Sequence, residues 1–192
     1  MVSPTTRTAF STLGCPGATL EQVLDYARRG GCTGVELRCR EGELIGPGSG
    51  LSDARELGDA LREGGLSPLC LASYIQIGSP DASVPRQIER HLEIAQAIGA
   101  PFVRVFGGDP DDAEVFERAV RRLRDAVDAS AETDVDILLE THDAFLSGEA
   151  VARVLDESGN PTAGAIWDVV NPWRAGEAPA QTLQHLAHRL RH

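Results

Sequence analysis

Apolar positions along the chain switch repeatedly between two spacings. Short β-branched and aliphatic runs alternate with longer stretches in which apolar residues return every three or four positions, the signatures of buried strands and one-faced helices. The first run covers residues 8–13, and the first helix is predicted over 19–29, where Thr19 suits the cap and Leu20, Val23, Leu24 and Ala27 share a face. Gly30 and Gly31 close it, and Gly34 to Arg38 reads as the second strand. The glycine-rich loop over 42–50 is long for a strand-to-helix connection, and loops of that length often belong to a site. The same alternation predicts helices over 52–63, 85–98, 111–132, 147–157 and 179–190, and strands over 66–77, 102–106, 136–140 and 163–168. Pro85 and Asp111 suit first helical turns, where a missing N–H is tolerated and a negative charge is favoured.

Strands alternating with helices at this spacing pair in parallel through right-handed crossovers, which leaves an open doubly wound sheet or a closed (β/α) barrel. Two details favour the barrel. No glycine-rich nucleotide fingerprint follows the first strand, and polar side chains recur at the C-terminal ends of the strands, where barrel sites are built. They include Glu36, Arg38, Tyr74, Gln76, Arg104, Glu140, His142, Asp168 and Asn171. The expectation is a single α/β domain over residues 1–192, of TIM-barrel type, with about six βα units and therefore an incomplete or atypical barrel.

Composition narrows the function. With 29 acidic residues against 18 basic ones the formal charge is −11, a field that repels a phosphate backbone, so nucleic acid is not an expected partner. All 18 basic residues are arginine, which excludes a lysine Schiff base and a P-loop lysine. No apolar stretch is long enough for a membrane helix and no signal core surrounds Arg7, so the expected location is cytoplasmic. Cys15, Cys32, Cys39 and Cys70 lack CxxC spacing and read as small buried thiols of a reducing compartment.

Glu140 ends the apolar run Ile137, Leu138, Leu139, and Asp168 ends Ile166, Trp167, so each carboxylate emerges at a strand tip. Delivered to one rim by consecutive strands, the pair would share a proton or a divalent metal. Equally, each acid would cap the following helix or pair with an arginine such as Arg104 or Arg174, and spacing alone leaves both readings open. His142 lies two residues beyond Glu140, on the same side if the strand continues, or else in an exposed loop. Arg38 and Arg104 would hold a substrate oxygen, or pair with Glu36 or Glu140. Tyr74 and Trp173 would wall a pocket for a sugar-like ring or simply pack at the rim. His185, His188 and His192 recur at helical spacing near the end of the last helix and read as solvent-facing rather than as a metal patch.

At Val103-Arg104-Val105-Phe106-Gly107-Gly108, Leu138-Leu139-Glu140-Thr141-His142-Asp143 and Ile166-Trp167-Asp168-Val169-Val170-Asn171-Pro172-Trp173, the chain resembles the xylose isomerase-like TIM barrels, specifically the sugar phosphate isomerase/epimerase group. The resemblance implies Glu140 and Asp168 as two ligands of a divalent metal (Mn, Mg, Co or Zn), with Glu140 also in acid–base work. It further implies Glu36, Arg38, Tyr74, Arg104, His142, Asn171 and Trp173 as substrate contacts. Asn171 stands where such proteins often carry a histidine, and their strand-seven His and strand-eight Glu would fall beyond His192. Open edges on strands one and six would then need cover from a homo-oligomer or from further chain. The expected activity is a metal-dependent isomerase, epimerase or related lyase on a small polyhydroxylated carbonyl compound. The alternative is a non-catalytic barrel relative that binds a small molecule or partner protein. An endonuclease for abasic DNA, a third chemistry on this fold, is disfavoured by the acidic charge.

Overall fold

A computed structural model describes residues 8–192. The expectation about a signal core near Arg7 lies outside the described residues. Six strands form one parallel sheet in sequential order: β1 (Ala9–Ser11), β2 (Gly34–Arg38), β3 (Ser67–Gln76), β4 (Phe102–Phe106), β5 (Asp136–Glu140) and β6 (Ala163–Ile166). Between and after them run α1 (Leu20–Gly30), α2 (Leu51–Glu63), α3 (Val84–Ile98), α4 (Val115–Asp125), α5 (Val127–Thr133), α6 (Gly148–Ser158), α7 (Val170–Arg174) and α8 (Pro179–Leu186). Strictly sequential parallel order is the topology of a (β/α) barrel, here a partial one, and it rejects the doubly wound alternative, whose strand order reverses.

Side-chain alternation sorts the sheet's two faces. Val103, Val105, Ile137 and Leu139 join the large core under the helices, whereas Cys70, Leu138 and Ile166, with Phe102 against them, form a separate small cluster on the other face. That second face is the concave one, and toward the C-terminal strand ends its residues turn polar: Arg104 follows Phe102, and Glu140 follows Leu138, at the two-residue period of a strand.

Local signals explain most boundaries. Thr19 and Gln22 make a reciprocal capping box on α1, and Gly31 ends it with φ +64°. Gly58 lets α2 and α3 approach: a Cβ there would lie 2.1 Å from the carbonyl oxygen of Ile98. Two buried arginines of α4 fasten the segment after β3. Arg118 Nε donates to Gly78 O at 2.7 Å, and Arg122 donates to the carbonyls of Ile77, Ser79 and Asp81 at 2.6 to 2.7 Å.

Several expectations need correction. The first strand ends at Ser11, whose hydroxyl accepts from Leu13 N and starts a 3-10 turn. The helix expected over 111–132 starts only at Val115, because Asp109 and Asp112 side chains accept from the backbone of Asp111 and Glu114 and hold that segment in turns, and it is broken at Ala126. Asp111 is thus not in a first helical turn. The short helix α7 was not expected. Cys39 and Cys70 are buried, but Cys15 and Cys32 are only half-buried. The last helix stops at Leu186, and residues 189–192 run alongside β6: Ala165 N donates to Arg189 O at 2.8 Å, Arg191 N to Ala165 O at 3.1 Å, and Trp167 N to His192 O at 3.0 Å. The three C-terminal histidines therefore share no helix face, and the outer edge of β6 is covered along this stretch.

Candidate active site at the C-terminal ends of the strands

Glu140 sits at the tip of β5 with only 8% of its surface exposed. Among the described residues no hydrogen-bond donor reaches its carboxylate. The nearest cation is Arg104 on β4, whose Nε lies 3.4 Å from Glu140 Oε2 in poor alignment, so that this buried N–H is itself without a hydrogen-bond partner. Burial pushes the Glu140 carboxyl above its ordinary range; Arg104 and His142 pull it down, and the charges of Glu36 and Asp168 push it up again. Arg104 is held by Nη2 donating to Ser73 O at 3.0 Å and by its guanidinium carbon 4.4 Å from the Phe106 ring centre. Ser73, fully buried, returns its hydroxyl to Arg104 O.

Asp168 follows β6 and is half-buried. Its Oδ1 accepts from Val170 N at 2.8 Å and Asn171 N at 3.2 Å, turning the chain into α7. Thr141, buried just beyond Glu140, accepts from Asp168 N at 2.9 Å through Oγ1, which lies 3.2 Å from Asp168 O. One threonine thus ties the two carboxylate-bearing segments together. Asn171 Nδ2 donates to Thr141 O at 2.9 Å, so this amide braces the same junction.

The remaining expected residues gather around the mouth. Arg38 Nε donates to Tyr74 Oη at 2.8 Å, and its Nη1 pairs with Glu43 at 2.9 Å. The partner thus comes from the long loop after β2 rather than being Glu36 on the strand. Glu36 instead lies 3.7 Å from His192 Nε2. Tyr74 is surrounded by three guanidinium groups, those of Arg38, Arg40 and Arg104, at 5.5 to 5.9 Å from its ring centre. His142 stacks on Phe106, ring centres 4.6 Å apart, and its Nδ1 lies 2.6 Å from Asp143 Oδ1. Trp173, on α7, is largely exposed.

Residues 24–192 match the family described as xylose isomerase-like TIM barrel. The chain belongs to that family. No curated protein matches it. Among solved structures, the chain superimposes on the probable 3-DHS dehydratase AsbF from Bacillus anthracis with a TM-score of 0.81 at 20% identity, covering 97% of this chain and 72% of that one. It is similar to a D-psicose 3-epimerase with a TM-score of 0.81 at 10% identity, covering 96% and 71%. A structure of the IolI protein with a bound zinc atom matches with a TM-score of 0.77 at 16% identity, covering 93% and 68%. At such identities these likenesses establish the xylose isomerase-like fold and not a shared reaction.

Whether the residues of this family member suit a divalent cation is a question of donors. Among the described residues, Glu140 offers a buried carboxylate that no hydrogen-bond donor reaches, and Asp168 has Oδ2 outside any hydrogen bond while Oδ1 caps α7. Both are hard oxygen donors of the kind Mg, Mn or Zn accept. Among the described residues, no group of three or more His, Cys, Asp or Glu comes together as a cation site. The residues fit part of a coordination sphere, two ligands of the several such an ion takes. Sequence reasoning missed Ser73, Thr141 and Glu43, which touch the candidate residues and position them. Thr141 was legible only as part of the quoted motif, Ser73 carries no local signal because its partner Arg104 lies on another strand, and Glu43, only five residues after its partner Arg38, is placed by the fold of the intervening loop.

Proposed function

We propose that this protein is a divalent-metal-dependent isomerase, epimerase or related lyase acting on a small polyhydroxylated carbonyl compound. The observation that carries the reading is the Glu140 carboxylate: buried at a strand tip, raised in pKa by that burial, set beside the misaligned Arg104, and near Asp168. A carboxyl in that setting is poised to take a proton from a carbon beside a carbonyl and return it, the step isomerases and epimerases share. Glu140 and Asp168 would hold the metal, which when bound polarises the substrate's carbonyl and hydroxyl oxygens. Arg104, fixed by Ser73 and Phe106, keeps a positive charge beside the reacting region. Arg38, Tyr74, Glu36, His142 and Asn171 ring the mouth with donors and acceptors for hydroxyl groups, and Trp173 stands on its rim.

The second reading, a non-catalytic relative that binds a small molecule or a partner, is favoured by one specific observation: Asp168 Oδ1 and the Asn171 amide are both engaged in bracing backbone. The two readings separate in titrations of the chain with Mn2+ and, independently, in deuterium uptake by ketoses incubated with it in heavy water. The enzyme reading expects Mn2+ binding that drops at least tenfold in Glu140→Gln, together with exchange that disappears. Mn2+ affinity equal in both chains and no exchange would leave the binding-protein reading.

A further inference from the structure

Beside the mouth lies a second opening that the proposed chemistry does not use. A cavity of about 560 Å3 runs between the loop after β2 and the first half of α3, bounded by Arg40, Glu41, Tyr74, Gln87 and His91. Tyr74 belongs both to this cavity and to the mouth: Arg104 lies 5.7 Å from its ring centre and also faces Glu140. The tyrosine is 44% exposed, so part of its ring remains open to a ligand.

The polar groups of the cavity specify a chemistry. His91 is 6% exposed, and its Nδ1 lies 2.7 Å from Gln87 O, an acceptor, so Nδ1 carries the proton. Burial lowers the pKa of this imidazole, the hydrogen bond to Gln87 opposes that, and the charge of Arg90 adds to the lowering, so the site disfavours the charged ring; with the Nδ1 proton given to Gln87 O, the neutral ring presents Nε2 as an acceptor. Gln87 Nε2 donates to Ser83 and Asp81, which leaves Oε1 to accept. Glu41 accepts as well, whereas Arg40, exposed and in no ion pair among the described residues, donates. Glu41 offsets Arg40, and the other two guanidinium groups beside Tyr74 are already engaged, Arg38 by Glu43 and Arg104 by Ser73 O and Glu140. An anion would find poor company here. A neutral polyol finds acceptors for its hydroxyls, one strong donor, and an aromatic face for its C–H groups.

We infer that the cavity between the β2 loop and α3 is a subsite for a second sugar-like ring, so that the substrate of the neighbouring mouth is a two-ring or glycosylated polyol, its far ring held by Tyr74, His91, Gln87 and Arg40. This inference rests on the functional reading above for the occupant of the mouth, but not for the subsite itself. The test is a titration of the isotope-labelled chain with cellobiose, maltose, glucose and inorganic phosphate, followed by the imidazole signals of His91 and His142. The expected result is that at least one disaccharide moves both histidines along one saturation curve and binds at least about tenfold tighter than glucose. Arg40→Ala and Gln87→Ala should each weaken that binding by roughly fivefold to tenfold, the size of one hydrogen bond, with amide spectra reporting that the variants are folded. Glucose binding as tightly as both disaccharides, a silent His91, or a response to phosphate alone would each overturn the subsite. Because the readout needs neither metal nor turnover, a responsive His91 in a chain that ignores Mn2+ would sink the isomerase reading and leave the subsite standing. Mn2+ binding with a silent His91 would do the reverse.

Discussion

A buried carboxylate facing a buried guanidinium invites the assumption of a stabilising ion pair, but at Glu140 the desolvation of the acid outweighs the attraction of Arg104 at 3.4 Å. The sign of the consequence is definite. A carboxyl whose folded pKa exceeds its unfolded value favours the fold most when protonated, so its contribution is fully present below the ordinary value of 4.5 and is lost as pH rises through the raised folded pKa. Glu140→Gln keeps the shape and removes the titration. Urea unfolding of the two chains across the pH range should therefore show the wild type losing stability relative to Glu140→Gln as pH climbs above 4.5, and a gap that stays constant with pH would refute the burial argument. The site thus stores a cost at its proposed catalytic group, as active sites do when binding or chemistry needs a group that folding alone would not choose.

Elements were more legible than contacts. Periodicity and glycine positions located all six strands and the helices between them because a strand's two-residue period and a helix's one-faced stripe are properties of the local chain. What failed was set by polar side chains competing with the backbone. Asp109 and Asp112 tied turns where a helix was expected, and Ser11 converted the end of the first strand into a 3-10 turn. At the site, the strand-tip positions of Glu140 and Asp168 were readable from the apolar runs before them, but Arg104 pairing with Ser73 and Asp168 with Thr141 depend on chain segments brought together only by the sheet, and Arg38 pairing with Glu43 depends on how the loop after β2 folds back. Gly58 makes the same point among the helices. Inside a helical pattern it reads as a weakness, yet in the fold it is the contact point of α2 with the end of α3. Gly58→Ala, which would raise helix propensity in isolation, should instead destabilise the protein by about 1 to 3 kcal/mol through overpacking against the Ile98 carbonyl. Thermal and urea denaturation measure it, and a stability gain would show that the two helices separate at little cost.

At the scale of the whole molecule, the question is how a partial barrel manages its edges. On one side β1 pairs only with β2, and three residues of pairing leave its outer backbone groups without a strand partner among the described residues. On the other, β6 is flanked by residues 189–192, and there the arrangement goes beyond backbone pairing. The Arg191 side chain lies against Gly164, where a Cβ would come 2.8 Å from its Cγ, and its charge opposes the effect of burial on Asp136 at the start of β5. Removing residues 189–192 would therefore do two separable things. It would free the amides of Ala165 and Trp167, whose exchange with solvent should quicken by at least tenfold, and it would strip Asp136 of a neighbouring cation, moving its already raised carboxyl pKa further upward. It would also leave both edges of the sheet exposed. Edge strands with open backbone groups recruit other chains, so sedimentation at increasing concentration should show the shortened chain associating more strongly than the intact one. If the two sediment alike while the amides do exchange faster, the β6 edge is not where copies of this chain meet, and association of the intact protein, the homo-oligomer proposed from its sequence, would have to run through β1 or through the helices.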